Sequence, residues 1–308
     1  MLIHGFVLGY GMVLLNPVAV SQGVRIYCPE DGMFSFFNSP YPAHKLTTGL
    51  DVYPNLNFME LAPSPVSGEV LQIRKVKAPK GRLFQDAGYD VAVLLRSNEN
   101  KDIVIKLLHM NPCVEVGDWV KVGDFIGSLL RSGYYGWGTS PHIHVEVRRP
   151  EDPLRARGGH QIERIQNLHY DTPEDEIKGV VVDSRDEFTI VELNSENGLV
   201  ADMGGKPGIL DGGIPYYGWM GVHFDGEFPR GHQIKLGGTL IGVINNVGDN
   251  WCQARCLDFR FEVNRKRLRG LSLRLSPKGP ASIKLIPYEL GALRMESGEE
   301  VKVSAIVR

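Results

Sequence analysis

The chain has 308 residues, of which 43% are hydrophobic and 23% charged, and its formal net charge is -2. This length suits two domains whose cores need no disulfide bonds. The charge offers no global attraction to nucleic acid or an anionic membrane, because such binding needs clustered Lys and Arg. The short cluster at residues 265–269 is interpreted as a solvated strand edge or turn, with a phosphate-binding patch as the alternative.

The first 23 residues are apolar and contain no Lys or Arg. A secretory signal needs a positive region ahead of its apolar core, and Gly5, Gly9, Gly11 and Pro17 interrupt the run before it is long enough to span a bilayer. We predict one or two buried strands here, within an N-terminal β segment of residues 1–41 that packs on the first unit. A cleaved or anchoring signal is the alternative. The compartment is undetermined, with the cytoplasm favoured.

Short runs rich in β-branched residues follow one another, separated by Gly and Pro. Examples are residues 68–73, 89–95, 102–108 and 143–147. Such runs predict strands, and no long stretch has helical periodicity. The best helix candidate is short, at residues 172–176, where a Thr N-cap precedes Pro and acidic residues. The fold class is therefore mainly β.

His142 and His144 stand two apart in a predicted strand, so both imidazoles leave the same face of the sheet. Two imidazoles on one face are costly unless something occupies the space between them, and a metal or a reacting group is the usual occupant. Glu146 is assigned to the opposite face, where it packs or forms a surface ion pair.

The surroundings of this pair resemble the LytM/lysostaphin-type zinc peptidases. Residues 120–127, Val-Lys-Val-Gly-Asp-Phe-Ile-Gly, are similar to the family's VKxGxxIG turn. A Gly-rich loop follows, and residues 139–147 then resemble the family's GPHLHFE strand. Further similar segments, in the family's order, are residues 62–70, 107–110 (its YxHL motif) and 152–154. The resemblance covers residues 42–155.

The resemblance implies a site for one zinc ion. His144 and Asp51 are the implied ligands, and His109 and His142 are the implied catalytic residues beside the metal. Neutral imidazole and carboxylate suit zinc, which keeps an open position for water in catalytic sites. Histidine titrates near neutral pH, so His109 and His142 can accept the proton of that water.

One departure concerns the first ligand. The family's first histidine stands four residues before the aspartate, and this chain has Thr47 there. His44, seven residues before Asp51, is the predicted third zinc ligand, provided that residues 45–50 bulge outward. Otherwise His44 is a surface histidine and the site has lost a ligand.

An internal repeat links the two halves of the chain. Residues 109–123 align without gaps to residues 223–237, and after two one-residue shifts residues 142–147 align to 258–263. The repeat predicts a second copy of the β unit, in which Asp258 and Arg260 replace the two histidines. Chance similarity of Gly-rich turns is the alternative.

We therefore expect two tandem units of the barrel-sandwich hybrid (duplicated hybrid motif) type, the second degenerate. The predicted boundaries are residues 1–41 for the N-terminal segment, 42–155 for the peptidase-like unit, 156–176 for a linker, 177–270 for the degenerate copy and 271–308 for a C-terminal β extension. Four cysteines are too few for a disulfide framework and are predicted to be buried or free thiols. A metal site or a mutual bridge is the alternative for Cys252 and Cys256.

The implied function is a zinc-dependent metallopeptidase or amidase acting on a peptide or peptidoglycan-like substrate. The alternative is a catalytically impaired, peptide- or zinc-binding scaffold of the same fold, because Thr47 departs from the motif. Lipoyl and biotinyl carriers share the turn but need an exposed hairpin lysine, and sugar-phosphotransferase IIA domains would not need Asp51. No nucleic-acid partner and no membrane span are predicted, and the oligomeric state is undetermined.

Overall fold

The computed structural model describes residues 4–8, 11–174, 176–227 and 231–307. The chain divides into two compact units. Unit 1 comprises residues 1–34 and 41–166, and unit 2 comprises residues 35–40 and 167–308. Regular structure is almost entirely β, as the short β-branched runs predict. Residues 1–3 and 9–10 of the predicted N-terminal segment lie outside the described residues.

The elements up to residue 164 are short strands and one turn of helix. They are β1 (His4–Leu8), β2 (Gly11–Ser21), β3 (Val24–Pro29), β4 (Met33–Ser35), α1 (Pro42–Lys45), β5 (Leu50–Tyr53), β6 (Leu61–Pro63), β7 (Gly68–Lys77), β8 (Tyr89–Ser97), β9 (Val104–Leu108), β10 (Met110–Pro112), β11 (Trp119–Val120), β12 (Phe125–Leu129), β13 (Ile143–Arg148) and β14 (Glu163–Arg164).

Three sheets build unit 1. In the first, β2 pairs with β1, β3 and β14, and in the second, β12 lies between β10 and β6. The largest sheet has the order β11-β7-β8-β9-β13-β5-β4 and places β13 between β9 and β5. One face of its central strands is apolar, with Leu95, Ile105, Leu107, Val145 and Val147 all 0% exposed. Strand alternation directs the intervening side chains of β13 to the other face.

In the described residues of unit 2, the regular secondary structure consists of β-strands. They are β15 (Ile177–Ser184), β16 (Thr189–Glu196), β17 (Leu199–Asp202), β18 (Pro207–Ile214), β19 (Trp219–His223), β20 (Gln233–Leu236), β21 (Thr239–Val247), β22 (Trp251–Cys256), β23 (Phe259–Val263), β24 (Lys266–Leu268), β25 (Gly270–Leu273), β26 (Pro280–Ile286) and β27 (Glu300–Val307).

These strands form a sheet of order β17-β20-β21-β22-β19-β18-β25-β26-β16-β15-β27-β23-β24, and an additional β17–β18 pairing closes its first six strands into a ring. Apolar side chains from this ring and from the other seven strands of the sheet form one core cluster. The strands of residues 271–308 lie within this sheet, because β26 pairs with β25 and β16, and β27 pairs with β15 and β23. β23, which the repeat aligns with β13, pairs with β24 and β27. The duplication stays a prediction.

Two local predictions have clear outcomes. The helix expected at residues 172–176 is wrong for the described residues 172–174 and 176, which form loop and bend. A single turn without tertiary packing does not offset the cost of helix nucleation. The basic cluster at 265–269 is confirmed as a strand edge and turn, with Lys266 and Arg267 exposed on the terminal strand β24. No helix in the described ranges is long and apolar enough to cross a membrane.

Candidate metal centre

Strand pairing brings Asp51 to His144. β5 and β13 are antiparallel neighbours, and Asp51 lies directly opposite His144 in their register. Side chains opposite each other in such a pair have Cβ atoms about 4.5–5.5 Å apart. As a result, Asp51 Oδ1 lies 2.8 Å from His144 Nδ1, and both side chains are buried.

His44 reaches the same point through a helical turn. It lies in α1, where Pro42 occupies the first turn, and the backbone then reverses through Thr47, whose φ is +54°. The Thr48 amide closes this reversal by donating to the Ala43 carbonyl. The extra residues between His44 and Asp51 are therefore absorbed by one compact turn, and His44 is only 1% exposed.

Gly49 is the residue that lets this turn approach the strand. A Cβ added there would lie 2.7 Å from His144 Cε1 and 2.9 Å from Ala43 Cβ. No side chain larger than hydrogen fits without moving the His144 ring. The glycine is thus part of the packing of the site.

The three side chains form a compact donor set. His44 Nε2 lies 3.2 Å from His144 Nδ1 and 3.4 Å from Asp51 Oδ1. Ligand atoms of a tetrahedral zinc ion, with bonds of about 2.0–2.1 Å, lie about 3.3 Å apart. Two imidazole nitrogens and one carboxylate oxygen at these separations fit a divalent metal such as zinc, and Thr47 is not needed as a ligand.

Burial and charge act together on these groups. Burial alone would raise the pKa of Asp51, but the facing His142 and His44 imidazoles and the hydrogen bonds from His144 and His44 hold that pKa well below its usual range. Burial would lower the pKa of His144, but hydrogen bonds to Asp51 and Glu146 raise it instead. Asp51 is therefore a carboxylate, and His144, whose pKa is raised to about 9, carries the positive charge that faces it.

Glu146 supports His144 from behind. Its Oε1 lies 3.2 Å from His144 Nε2 and 2.5 Å from Lys106 Nζ, and its Oε2 accepts a hydrogen bond of 3.0 Å from Arg148. The prediction that Glu146 lies on the opposite face and packs or forms a surface ion pair was wrong, because residues two apart on a strand share a face. Glu146 is 2% exposed and orients the ring of a candidate ligand.

His142 lies beside the donor set and is held by its other nitrogen. Its Nδ1 lies 2.9 Å from the Ser140 carbonyl oxygen, which can only accept a hydrogen bond. Its Nε2 is 3.6 Å from Asp51 Oδ2, and Tyr135 stacks on the ring at 4.8 Å. Burial lowers the pKa of His142 to about 3, so the ring is neutral at physiological pH.

His109 completes the group of histidines. Its ring centroid lies 5.1 Å from that of His142 and 6.0 Å from that of His144. Its Nδ1 is 2.5 Å from Oδ2 of Asp90, a buried residue on β8 to which the sequence had assigned no role. Burial would raise the pKa of Asp90, but His109 and Ser132 lower it, so Asp90 is a carboxylate.

The remaining candidates lie elsewhere. His223 is buried in unit 2 and lies 3.2 Å from Asp211 Oδ2. All four cysteines are free, so Cys252 and Cys256 form no bridge. Across the described ranges, His44, Asp51 and His144 form the one group of three or more His, Cys, Asp or Glu side chains whose ligand atoms lie within 4.8 Å of one another.

Comparisons with known proteins identify a family of unknown function. Residues 26–164 match the model described as the N-terminal domain of a domain of unknown function, DUF8155, and residues 174–306 match its C-terminal domain. The division between residues 166 and 167 falls in the gap between these matches, whereas residues 35–40 of unit 2 lie within the first match. No curated protein matches the chain. Any function must therefore be argued from the site itself.

Proposed function

The chain belongs to the DUF8155 family, whose two domain models together cover most of it, and we propose that unit 1 is a zinc-dependent hydrolase that cleaves a peptide or amide bond. One observation carries the proposal: His44, Asp51 and His144 come from a helical turn and two strands, and their ligand atoms lie 2.8–3.4 Å apart. Burying three polar side chains costs free energy, and binding a metal ion would offset that cost.

The residues have separate roles in the proposed reaction. His44, Asp51 and His144 would hold one zinc ion, which when bound would act as a Lewis acid toward a carbonyl oxygen and activate water. His109 and His142 flank this point, where one can exchange protons with the attacking water and the leaving amine while the other stabilises the oxyanion. Glu146 keeps the His144 ring in place, since outer carboxylates fix the orientation of ligating histidines.

The substrate class rests on the resemblance to LytM/lysostaphin-type peptidases. The segments that resemble this family contain Asp51, His109, His142 and His144. In the proposal, His44 takes the role of the family's first ligand histidine, whose position is occupied here by Thr47. A peptide or peptidoglycan-like chain is the corresponding substrate. For unit 2 we propose a degenerate copy of the same barrel-sandwich hybrid. Each of the two aligned histidines contacts a buried aspartate, His223 through Nε2 and His109 through Nδ1.

A second candidate function is zinc binding without turnover. It is favoured by the burial of the site, because the side chains of His44, Asp51 and His144 are 2%, 2% and 7% exposed. A scaffold of this kind would need the metal for stability and not for chemistry. Zinc content alone does not distinguish such a scaffold from a hydrolase, but a test for cleavage does.

The first measurement is the zinc content of the purified protein. We expect one zinc per chain in the wild type, its loss in His144→Ala, and its retention in His169→Ala, whose side chain is 64% exposed and lies in unit 2. The second is mass spectrometry of peptide mixtures and peptidoglycan after incubation with the zinc-loaded protein. Zinc without any cleavage supports the scaffold, and a wild type that binds no zinc refutes both candidates.

A further inference from the structure

The backbone at His109 has an uncommon conformation. His109 lies between β9 and β10 with φ of +74°, a left-handed region that non-glycine residues seldom occupy and that costs about 1–3 kcal/mol. The residue breaks the alternation of the strand, so its side chain is directed by this turn and not by the pleat. A conformation of this kind persists only where the surroundings hold it.

Asp90 provides much of that hold. Its Oδ1 accepts the backbone N–H of His109 at 2.9 Å, and its Oδ2 lies 2.5 Å from His109 Nδ1. The Val91 amide and the Ser132 hydroxyl also donate to this carboxylate. Asp90 is 1% exposed, so these bonds are shielded from water.

The contact determines which ring nitrogen carries the proton. A carboxylate accepts hydrogen bonds, so the neutral His109 ring places its proton on Nδ1 and leaves a lone pair on Nε2. Among the described residues, no hydrogen bond engages His109 Nε2. The side chain retains 10% exposure, the largest value among the site histidines.

We propose that Asp90 is a positioning residue that fixes this tautomer and so makes His109 the histidine that accepts the proton in hydrolysis. The role rests on the proposed function. An O–H bond of the attacking water breaks, its proton moves to His109 Nε2, and the water oxygen bonds to the carbonyl carbon. The proton then passes from Nε2 to the amine nitrogen as the C–N bond breaks.

His142 is less suited to carry this proton. Its Nδ1 faces the neutral Ser140 carbonyl, whereas Nδ1 of His109 faces a carboxylate. A positive charge formed on His109 is therefore compensated at once by Asp90, at a distance of one hydrogen bond. The two histidines have similar positions beside the donor set and different partners behind them.

Long-range 1H–15N NMR spectra of the metal-free protein test the tautomer directly, with the His109 signals identified by their loss in His109→Gln. We expect Nδ1 protonated and Nε2 bare in the wild type. Asp90→Asn should lose this pattern, because four donors converge on the carboxylate and the amide NH2 would face one of them. The control is Asp86→Asn in the same hairpin, which accepts from Gly81 and Gly88 and should leave His109 unchanged.

Protonation of Nε2 in the wild type, or an unchanged pattern in a folded Asp90→Asn, overturns the role of Asp90. The wild-type spectrum decides the matter even if the variant does not fold. For a peptide that the wild type hydrolyses, Asp90→Asn should lower kcat about 10²–10⁴-fold at unchanged zinc content. Hydrolysis at the wild-type rate would overturn the proposal. Absence of hydrolysis in the wild type, with the tautomer in place, would overturn the proposed function and leave the positioning of His109 by Asp90 standing.

Discussion

Replacing Glu146 by Gln is expected to affect both the stability and the metal affinity of unit 1. Glu146 lies between Lys106 and Arg148, at 2.5 and 3.0 Å, and all three side chains are at most 4% exposed. Gln keeps the shape and removes the negative charge, so two buried cations lose their shared partner. Breaking a buried pair in this way costs about 3–5 kcal/mol.

The same substitution weakens the support of His144, whose Nε2 lies 3.2 Å from Glu146. Loss of such an outer partner lowers metal affinity about 10–100-fold. The free energy of unfolding is measured by urea titration of the metal-free protein, and zinc affinity by competition with a chelator of known affinity. Both should fall in Glu146→Gln.

The matched control is Glu69→Gln. Glu69 pairs with Arg96 at 3.5 Å, with side chains 29% and 49% exposed, and such surface pairs contribute about 0–1 kcal/mol. Equal unfolding free energies for Glu146→Gln and Glu69→Gln, together with unchanged zinc affinity, would refute the reasoning about this buried network.

Gly49→Ala should lower the free energy of unfolding by about 1–3 kcal/mol and weaken zinc binding, because the added Cβ displaces the His144 ring. The control is Gly136→Ala, whose Cβ meets only Thr139 Oγ1 at 3.4 Å and which should have neither effect. Equal zinc affinities of the two variants would contradict this reasoning. In metal-free protein the pKa of His142 is lowered to about 3 and that of His144 raised to about 9, both from an ordinary 6.5. Unfolding therefore takes up a proton at His142 below pH 6.5 and releases one at His144 above it, so stability should decline on both sides of that pH; a steady rise from pH 6.5 to 9 in urea titrations with chelator would be inconsistent. A thiol reagent at pH 8 should label exposed Cys113 quickly, and a second fast site would contradict the lower accessibility of the other three, of which two are buried and Cys256 is half-buried. Those three are Cys28, Cys252 and Cys256, and burial raises the pKa of the last two to about 12.

Local spacing was sufficient for part of the site. His142 and His144 share a face because side chains alternate along a strand, and this holds wherever the strand lies. The same rule applies to Glu146, and the prediction failed where the rule was not followed. The β class also follows from the local pattern, since short β-branched runs between turns predict strands and no long stretch has helical periodicity.

The approach of His44 was not readable from spacing alone. Its distance from Asp51 along the chain matches no regular element, and only a turn through α1 and the left-handed Thr47 brings the ring back to β5. That turn depends on the small Gly49 and on packing against β13. Tertiary contacts, and not propensity, determine such a path.

The sequence by itself determined the β character of the chain and the shared face of the paired histidines, because both follow from the period of a strand. Only the tertiary structure decided which side chains stand behind those histidines. Asp90, Lys106 and Asp51 reach them through the pairing of separate strands, and that pairing is set by the nonlocal burial of apolar faces. The residues of a strand determine which side chains share a face, whereas the neighbouring strands determine which groups contact those side chains.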